Sequence, residues 1–221
     1  MFSIDIDFGF KGKDSISYKN VQIKFALGDI VNIIGENGCG KSSFYKVLMG
    51  KNKPTRGEIA SDINNNVVVV SDYVGLPNEC SVLDVVDFIG NEKNEYLKEN
   101  FEEIYNYVLD MKDKEVSVLS TGQKRVLEIY CALSNQKKIL ILDEASNGLD
   151  IYNRQILIEQ IKKLSATKKI AVFNTTHHIE DVVDVGGKIM VMNKHKGFIT
   201  EYCGAHEMKD VVAFMRGAAN V

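Results

Sequence analysis

Several features that mark special classes of protein are scarce or missing in this sequence. Its 221 residues include only two prolines and four dispersed cysteines, and no apolar run is longer than a strand. A membrane-spanning helix needs roughly 20 consecutive apolar residues, so none is predicted. With 45% hydrophobic and 26% charged residues, the composition is close to the globular average. This excludes wholesale disorder, a collagen-like repeat and a small domain held together by disulfides.

Charge and the first residues narrow the expected surroundings. The formal net charge is −3, which argues against a surface that coats nucleic acid, so no nucleic-acid partner is expected. Residues 1–5 lack the basic and apolar regions of a signal peptide. We therefore expect a cytoplasmic protein whose cysteines are reduced thiols. The spacing of the cysteines and histidines along the sequence gives no zinc-binding pattern.

Short apolar runs alternate with helical patterns along the chain. Alternating positions predict strands within the first 35 residues, and 30–34 has the pattern of a buried strand that ends at Gly35. A helix is predicted over 41–50. Further strands are predicted at 67–70, 139–142, 170–173, 188–191 and Phe198–Tyr202, with a helix after the last. This alternation predicts an α/β fold with a mostly parallel sheet.

The part of the chain between Ser81 and Leu133 follows a helical pattern instead. Ten acidic and four basic side chains lie in 84–115, so this block carries −6 and the rest of the chain +3. Each charge by itself is explained by a solvated helix face. Together they indicate a helical subdomain inserted into a strand-rich core.

A glycine-rich loop follows the strand predicted at 30–34. It matches the phosphate-binding pattern G-x-x-x-x-G-K-S/T, between a strand and a helix, with the residues Gly35, Glu36, Asn37, Gly38, Cys39, Gly40, Lys41 and Ser42. Glycines let successive N–H groups point inward, and the helix N-terminus adds positive potential. Lys41 can bridge the β- and γ-phosphates, the Ser42 hydroxyl can bind Mg²⁺, and Ser43 completes the predicted nucleotide contacts. We interpret Cys39 as a small residue tolerated in the loop rather than a catalytic thiol.

An apolar strand that ends in two acids forms the second part of the site. The run 139–142 is followed by Asp143 and Glu144. In open α/β folds such strand ends lie at the sheet edge where ligands bind. Asp143 is predicted to hold Mg²⁺ and Glu144 to polarise a water for attack on the γ-phosphate. By itself the pattern is equally explained by a strand-end cap, but a preceding phosphate-binding loop favours the catalytic interpretation.

A third motif distinguishes among families of phosphate-loop proteins. Leu119-Ser120-Thr121-Gly122-Gln123 resembles the signature motif of ATP-binding-cassette (ABC) ATPases, usually Leu-Ser-Gly-Gly-Gln, with Thr121 replacing the first glycine. Downstream, 145–150 resembles the family's D-loop, with Ala145 where proline is common. Thr176-His177 resembles the switch-histidine motif. These motifs occur in the family's order and span nearly the whole chain.

This resemblance implies a fold and a domain plan. The fold is a P-loop NTPase core with a mostly parallel sheet, an N-terminal antiparallel β subdomain and an inserted helical signature subdomain. We expect one ABC ATPase domain over 1–221. Its core would cover about 1–71 and 136–221, and its helical signature subdomain 72–135.

The resemblance also implies the cofactors ATP and Mg²⁺ and a second nucleotide-binding subunit. Two copies, or one copy and a close paralogue, would pair head to tail around two ATP molecules. Ser120, Gly122 and Gln123 of one subunit would face the γ-phosphate held by the other, a geometry that a helix N-cap also explains. Asp150 would organise the opposing site. His177 would hydrogen-bond the γ-phosphate and the attacking water, and no such role is assigned to its neighbour His178.

Two further positions follow from the resemblance in less direct ways. Phe10 lies where an aromatic residue stacks on adenine in this family, although Phe8 or Tyr18 are alternatives and any of them also suits a core. Asp72 lies where the family has the glutamine of its Q-loop. A carboxylate there can still bind Mg²⁺, but it adds negative charge beside the phosphates. We therefore expect an effect on coupling more than on ATP binding.

The expected function is that of an ATP-hydrolysing subunit of an ABC transporter. An integral-membrane subunit would supply the pathway and dock on the helical block, with this chain at the cytoplasmic face of the membrane. The wording of 146–150 mildly favours an exporter. The alternative is a soluble ABC ATPase that acts, for example, in iron–sulphur-cluster assembly. The negative charge and single cassette argue against the DNA-repair and translation branches.

Overall fold

Eight strands and nine helices are present in the part of the chain that the computed structural model describes, residues 1–10, 16–71, 75–193, 198–202 and 207–220. The strands are β1 (Phe2–Phe10), β2 (Ile16–Phe25), β3 (Ile30–Ile34), β4 (Val67–Ser71), β5 (Ile139–Asp143), β6 (Ala171–Thr176), β7 (Lys188–Asn193) and β8 (Phe198–Tyr202). The helices are α1 (Lys41–Leu48), α2 (Ser61–Asn64), α3 (Val82–Ile89), α4 (Asn91–Asn100), α5 (Glu102–Leu109), α6 (Thr121–Leu133), α7 (Ile151–Ala166), α8 (Ile179–Val185) and α9 (Met208–Asn220), with a 3₁₀ turn at Val116–Val118.

Six of the strands form one sheet in the order β4-β5-β6-β3-β7-β8. All neighbours in it are parallel except β7 and β8, which are antiparallel. The strands β1 and β2 form a separate antiparallel pair at the N-terminus. The predicted fold class, a mostly parallel sheet with an N-terminal antiparallel unit, is confirmed.

Apolar side chains pack on both faces of the large sheet. On one face, the β1–β2 pair and α1 cover the sheet, and the ring of Phe25 meets that of Phe173 edge-on at 4.9 Å. On the other face, Leu140 and Leu142 of β5 pack in one cluster with α6 and α7. Burying a leucine or phenylalanine side chain contributes about 1.5–3 kcal/mol to the stability of the fold. The sheet therefore lies between two apolar layers, as a parallel sheet requires.

The helices α3 to α6 follow β4 in the chain and precede β5. Ser81 and Asp84 form a reciprocal capping box that starts α3. The buried Tyr130 of α6 donates its hydroxyl to Asn94 Oδ1 at 2.7 Å, and Asn94 Nδ2 donates to the carbonyl of Val86 at 2.8 Å. These bonds hold three helices of the block together. Within the described residues, no helix combines the length and the apolarity needed to cross a bilayer.

A pair of asparagines is buried in the middle of the sheet. Asn32 of β3 and Asn174 of β6 are register partners, and Asn174 Nδ2 donates to Asn32 Oδ1 at 3.0 Å. Asn32 Nδ2 in turn donates to the carbonyl of Gly186 at 2.6 Å, just before β7. Both amide nitrogens therefore have an acceptor, so the polar pair ties three segments together at little penalty.

The ends of several elements differ from the sequence-based predictions, as one helix and one strand illustrate. The helix predicted over 41–50 ends at Leu48. The strand predicted over 170–173 covers Ala171–Thr176, and all of its residues are buried. The side chains of its polar second half have hydrogen-bond partners on β3, β5 and α8, which an apolar run does not predict.

We expect Asn32→Val to lower the free energy of unfolding by about 2–3 kcal/mol, because it leaves the buried amide of Asn174 and the half-buried carbonyl of Gly186 without this partner. The double variant Asn32→Val/Asn174→Val should lose less than the sum of the two single variants, since it also removes the orphaned amide. Urea unfolding followed by circular dichroism measures both values. Strictly additive losses would show that the two asparagines do not act as a pair.

Candidate functional site

The carboxyl ends of three neighbouring strands meet at one edge of the sheet. In order they are β5, β6 and β3, with Asp143 opposite Thr175 and Ile34 opposite Thr176 in the register. The loop that follows each strand therefore starts at the same edge. This register brings together residues that lie more than a hundred positions apart in the sequence.

The glycine-rich loop runs from the end of β3 to the start of α1. Gly40 is the N-cap of α1 and has φ +103°, a conformation that favours glycine. As a glycine, this N-cap has no side chain that could accept from the first N–H groups of the helix, so a ligand can take that place. Glu36, Asn37 and Gly38 are exposed at the tip of the loop, and Cys39 is buried beneath it. The loop thus has the form of an anion-binding nest at a helix N-terminus.

The ammonium group of Lys41 lies beneath this loop. Its side chain is only 5% exposed, and Nζ donates to the carbonyls of Gly35 at 2.8 Å and Glu36 at 3.3 Å. Nζ is also 3.3 Å from Oε1 of Glu144 at the end of β5. The buried charge is therefore paired, and it connects the phosphate loop to the acidic strand end.

Ser42 and Asp143 provide oxygen atoms next to each other. Ser42 Oγ donates to Asp143 Oδ2 at 3.1 Å, and the buried Thr175 donates its hydroxyl to Asp143 Oδ1 at 3.0 Å. One hydroxyl and one carboxylate suit Mg²⁺, which keeps several waters and binds substrate phosphates as well. The two residues fit a magnesium ion held jointly by protein and nucleotide. The flanking Ser43 is half-buried on α1.

Glu144 has a strained backbone, and its carboxylate has several polar and charged partners. Its φ is +53°, in the left-handed region that residues other than glycine rarely adopt. Burial raises the pKa of its carboxyl group, but a 2.6 Å hydrogen bond from Asn147 Nδ2 and the charge of Lys41 outweigh this, and the pKa lies below its usual value. Nδ1 of His177 is 3.7 Å from Glu144 Oε2. Glu144 is therefore ionised at neutral pH and can accept a proton.

Asp181 holds the surroundings of His177 together, a role that the sequence analysis missed. It is 2% exposed and accepts hydrogen bonds from Thr176 at 2.9 Å and Ser146 at 2.5 Å. It also forms an ion pair with Arg154 of α7. The end of β6, the loop after β5 and α7 are thereby joined through one buried carboxylate. His178 packs against His177, with ring centroids 4.1 Å apart.

The predicted signature residues form the start of α6. Ser120 is the N-cap, its Oγ accepts from the N–H of Gln123 at 3.2 Å, and the Gln123 side chain accepts from the N–H of Ser120 at 3.1 Å. Gly122 is buried against Asn153 of α7. Asp150 is the exposed N-cap of α7 and accepts from the N–H of Asn153 at 2.8 Å. Hydrogen bonds from Asn153 lower the pKa of the Asp150 carboxyl.

Four positions considered for the site either belong to the core or have side chains outside the described part of the chain. Phe8 and Tyr18, the alternatives for an adenine platform, are fully buried and stack on each other at 5.0 Å, so they belong to the core and offer no exposed face. Phe10 ends β1, but its side chain is outside the described part of the chain. Asp72 also lies outside the described residues.

Comparison with protein families gives a match over much of the chain. Residues 18–147 match the family model described as ABC transporter. The chain is 30% identical over 207 residues to ABC transporter F family member 5 of Arabidopsis thaliana, covering 90% of this chain but 28% of that protein. It is 29% identical over 184 residues to the molybdate import ATP-binding protein MolC of Haemophilus influenzae, covering 78% of this chain and 72% of that protein.

A solved structure has the same fold. The chain superposes with a TM-score of 0.76 on the ADP conformation of MJ1267, an ATP-binding cassette of an ABC transporter. The match covers 96% of both chains at 22% sequence identity. The arrangement of helices and strands is thus shared well beyond the sequence similarity.

Proposed function

Since this chain belongs to the ABC transporter family, we propose that it is an ATP-hydrolysing subunit that powers transport through a separate membrane protein. ABC ATPases bind and hydrolyse ATP. The observation that carries the proposal for this chain is the convergence of Lys41, Ser42, Asp143 and Glu144 at one sheet edge. We propose the domain plan given above, with the helical signature subdomain between β4 and β5.

The loop before α1 would hold the phosphates of ATP. The N-terminus of α1, which begins at this loop, attracts anions, and the ammonium of Lys41 donates to carbonyls of the same loop. Ser42 and Asp143 would hold Mg²⁺, which when bound neutralises charge on the phosphates. Phe10 for adenine and Asp72 near the metal remain predictions from the resemblance.

Glu144 would act as the general base. A water oxygen attacks the γ-phosphorus, the bond from that phosphorus to the bridging oxygen of ADP breaks, and the proton of the water passes to the Glu144 carboxylate. Asn147 and Lys41 hold this carboxylate in one orientation and keep it ionised. His177, beside it, would hydrogen-bond the γ-phosphate and the water.

A second copy of the chain, or a close paralogue, would complete each site. The phosphate loop is bonded to the end of β5, whereas Ser120 is bonded to α7. One chain therefore carries two separate half-sites. In a head-to-tail dimer, Ser120, Gly122 and Gln123 of one subunit would meet the γ-phosphate bound by the other, next to Asp150.

An apolar groove in the helical block would receive the membrane partner. It has a volume of about 600 Å³ and is lined by residues that include Leu76, Pro77, Val85 and Cys131, and Phe88 at its rim is 93% exposed. The surrounding block 84–115 carries −6. An apolar and basic segment of an integral-membrane subunit fits both properties. This docking would hold the chain at the cytoplasmic face of the membrane.

The import proteins among the relatives do not support the exporter expected from 146–150. MolC is named as an import protein, and relatives that match this chain also include zinc and methionine import proteins. These names therefore do not favour export. Short motif wording around a D-loop does not determine direction, because the membrane subunit forms the pathway.

We expect Glu144→Gln to reduce ATP turnover by at least about 100-fold, because the neutral amide cannot accept the proton of the water. Nucleotide affinity should stay within about twofold. Phosphate release measures the first quantity and a fluorescent ATP analogue the second. The control is Glu58→Gln, which removes an exposed carboxylate elsewhere. Unchanged turnover in Glu144→Gln would contradict the assignment of the base.

Ser120→Arg should leave nucleotide binding by one chain unchanged and abolish the ATP-dependent dimer, because the long side chain blocks the approach of the opposing phosphate. Size-exclusion chromatography with light scattering measures the dimer, in a Glu144→Gln background that retains ATP. Ser3→Arg changes an exposed serine on β1 and should dimerise normally. A normal dimer of the Ser120 variant would be incompatible with the head-to-tail arrangement.

Phe88→Glu should reduce copurification of an integral-membrane protein at least about fivefold, because it places a charge at the rim of the groove. Nucleotide binding should not change. Met208→Glu alters another exposed apolar residue, on α9, and serves as the matched control. Mass spectrometry identifies the partner. Equal retention in both variants would exclude the groove, and recovery of a soluble cluster-assembly scaffold instead would favour the alternative function.

A further inference from the structure

Asn153 connects the signature residues to the D-loop through a directed chain of hydrogen bonds. Ser120 Oγ lies 2.6 Å from Asn153 Oδ1, and Asn153 Nδ2 lies 2.8 Å from Asp150 Oδ2. An ionised carboxylate only accepts, so the amide nitrogen of Asn153 must face Asp150. The amide oxygen then faces Ser120 and accepts. The Ser120 hydroxyl is therefore the donor. Ser120 donates to Asn153, and Asn153 donates to Asp150.

The side chain of Asn153 has little room to take another orientation. It is 6% exposed and packed against the glycine of the signature. A Cβ atom at Gly122 would lie 2.6 Å from Asn153 Oδ1 and 2.8 Å from Asn153 Cβ. Any side chain at 122 would displace Asn153, so the close approach explains a glycine at this position in packing terms.

The hydroxyl of Ser120 has a single proton, and Asn153 accepts it. The oxygen of that hydroxyl already accepts from the N–H of Gln123. Phosphate oxygens accept hydrogen bonds. When a phosphate binds Ser120 Oγ, the Ser120 hydroxyl must therefore donate to the phosphate instead of to Asn153 Oδ1. The amide oxygen of Asn153 then loses its donor, although the amide nitrogen remains bonded to Asp150. Because Asn153 has one hydrogen-bond partner fewer, it holds the start of α7 less firmly.

We propose that Asn153 is a positioning residue that sets the direction of the Ser120 hydroxyl and transmits the arrival of a phosphate to Asp150. The inference rests on the proposed function, because the phosphate belongs to ATP held by a second copy of the chain. Contact of one nucleotide with Ser120 thereby changes the D-loop of the same subunit. That segment faces the opposing site in the proposed dimer, so Asn153 links the two ATP sites.

A double-mutant cycle on Ser120 and Asn153 tests the link. We expect Ser120→Ala and Asn153→Ala each to lower kcat about 10-fold, and the double variant to lower it about 10-fold rather than 100-fold, because Asn153 acts through the Ser120 hydroxyl. The affinity of the isolated chain for a fluorescent ATP analogue should stay within about twofold in all three, since the phosphate loop is unchanged. A loss of packing alone would give no such split between kcat and nucleotide affinity.

An exchange of the two side chains provides a second, independent variant. Asn153→Asp places a carboxylate against Asp150 and should lower kcat about 10-fold by repulsion. Adding Asp150→Asn reverses the pair. The carboxylate at position 153 would then accept from the Ser120 hydroxyl and from the amide at position 150. The side chain at position 150 would still cap α7, because asparagine is also a favourable N-cap residue. We expect this double variant to recover at least about fivefold of the kcat lost in Asn153→Asp. Thermal unfolding of each variant reports any loss of fold.

Gln160→Ala is the matched control, because Gln160 is a buried amide on the same helix and is 2% exposed. Its kcat should equal that of the parent chain. Additive losses in the cycle, an unchanged kcat in Asn153→Ala, or no recovery in the exchanged pair would each overturn the inference while leaving the proposed ATPase function intact. Absence of ATP turnover in the parent chain would instead overturn the proposed function, and the inference with it.

Discussion

The buried ammonium group of Lys41 is the feature on which the site depends most. A charge removed from water costs several kcal/mol unless acceptors replace the water. Two carbonyls of the phosphate loop and the carboxylate of Glu144 provide those acceptors. They come from the ends of β3 and β5, which are separated by β6 in the sheet. The pairing of Lys41 therefore requires this strand order, and in return it holds the phosphate loop beside the acidic strand end.

The same requirement explains the polar groups buried around the site. Asn32 and Asn174 pair inside the sheet, Thr175 donates to Asp143, and Asp181 joins three segments near His177. In a region of low dielectric, each of these bonds is stronger than it would be in water, and an unpaired group is correspondingly unfavourable. These bonds hold the loops at this edge of the sheet in position.

The apolar patterns were a good guide to the elements and a poor guide to their ends. The run 139–142 predicted β5 almost to its last residue, because a strand buried on both faces is apolar throughout. The prediction of 170–173 stopped short of the polar half of β6. Asn174 is stable there only because Asn32, 142 residues away, accepts its hydrogen bond. No local pattern contains that information.

By itself, the sequence determined the phosphate loop, the cap of α6 and the membership of the ABC transporter family. These depend on residues within a few positions of one another, since a glycine-rich turn or a helix cap is formed by neighbours in the chain. Only the tertiary structure decided which residues support them. Asn153 reaches Ser120 across 33 positions, and Asp181 reaches Ser146 across 35. The tertiary structure also assigned Phe8 and Tyr18 to the core, because burial depends on how the sheets pack together.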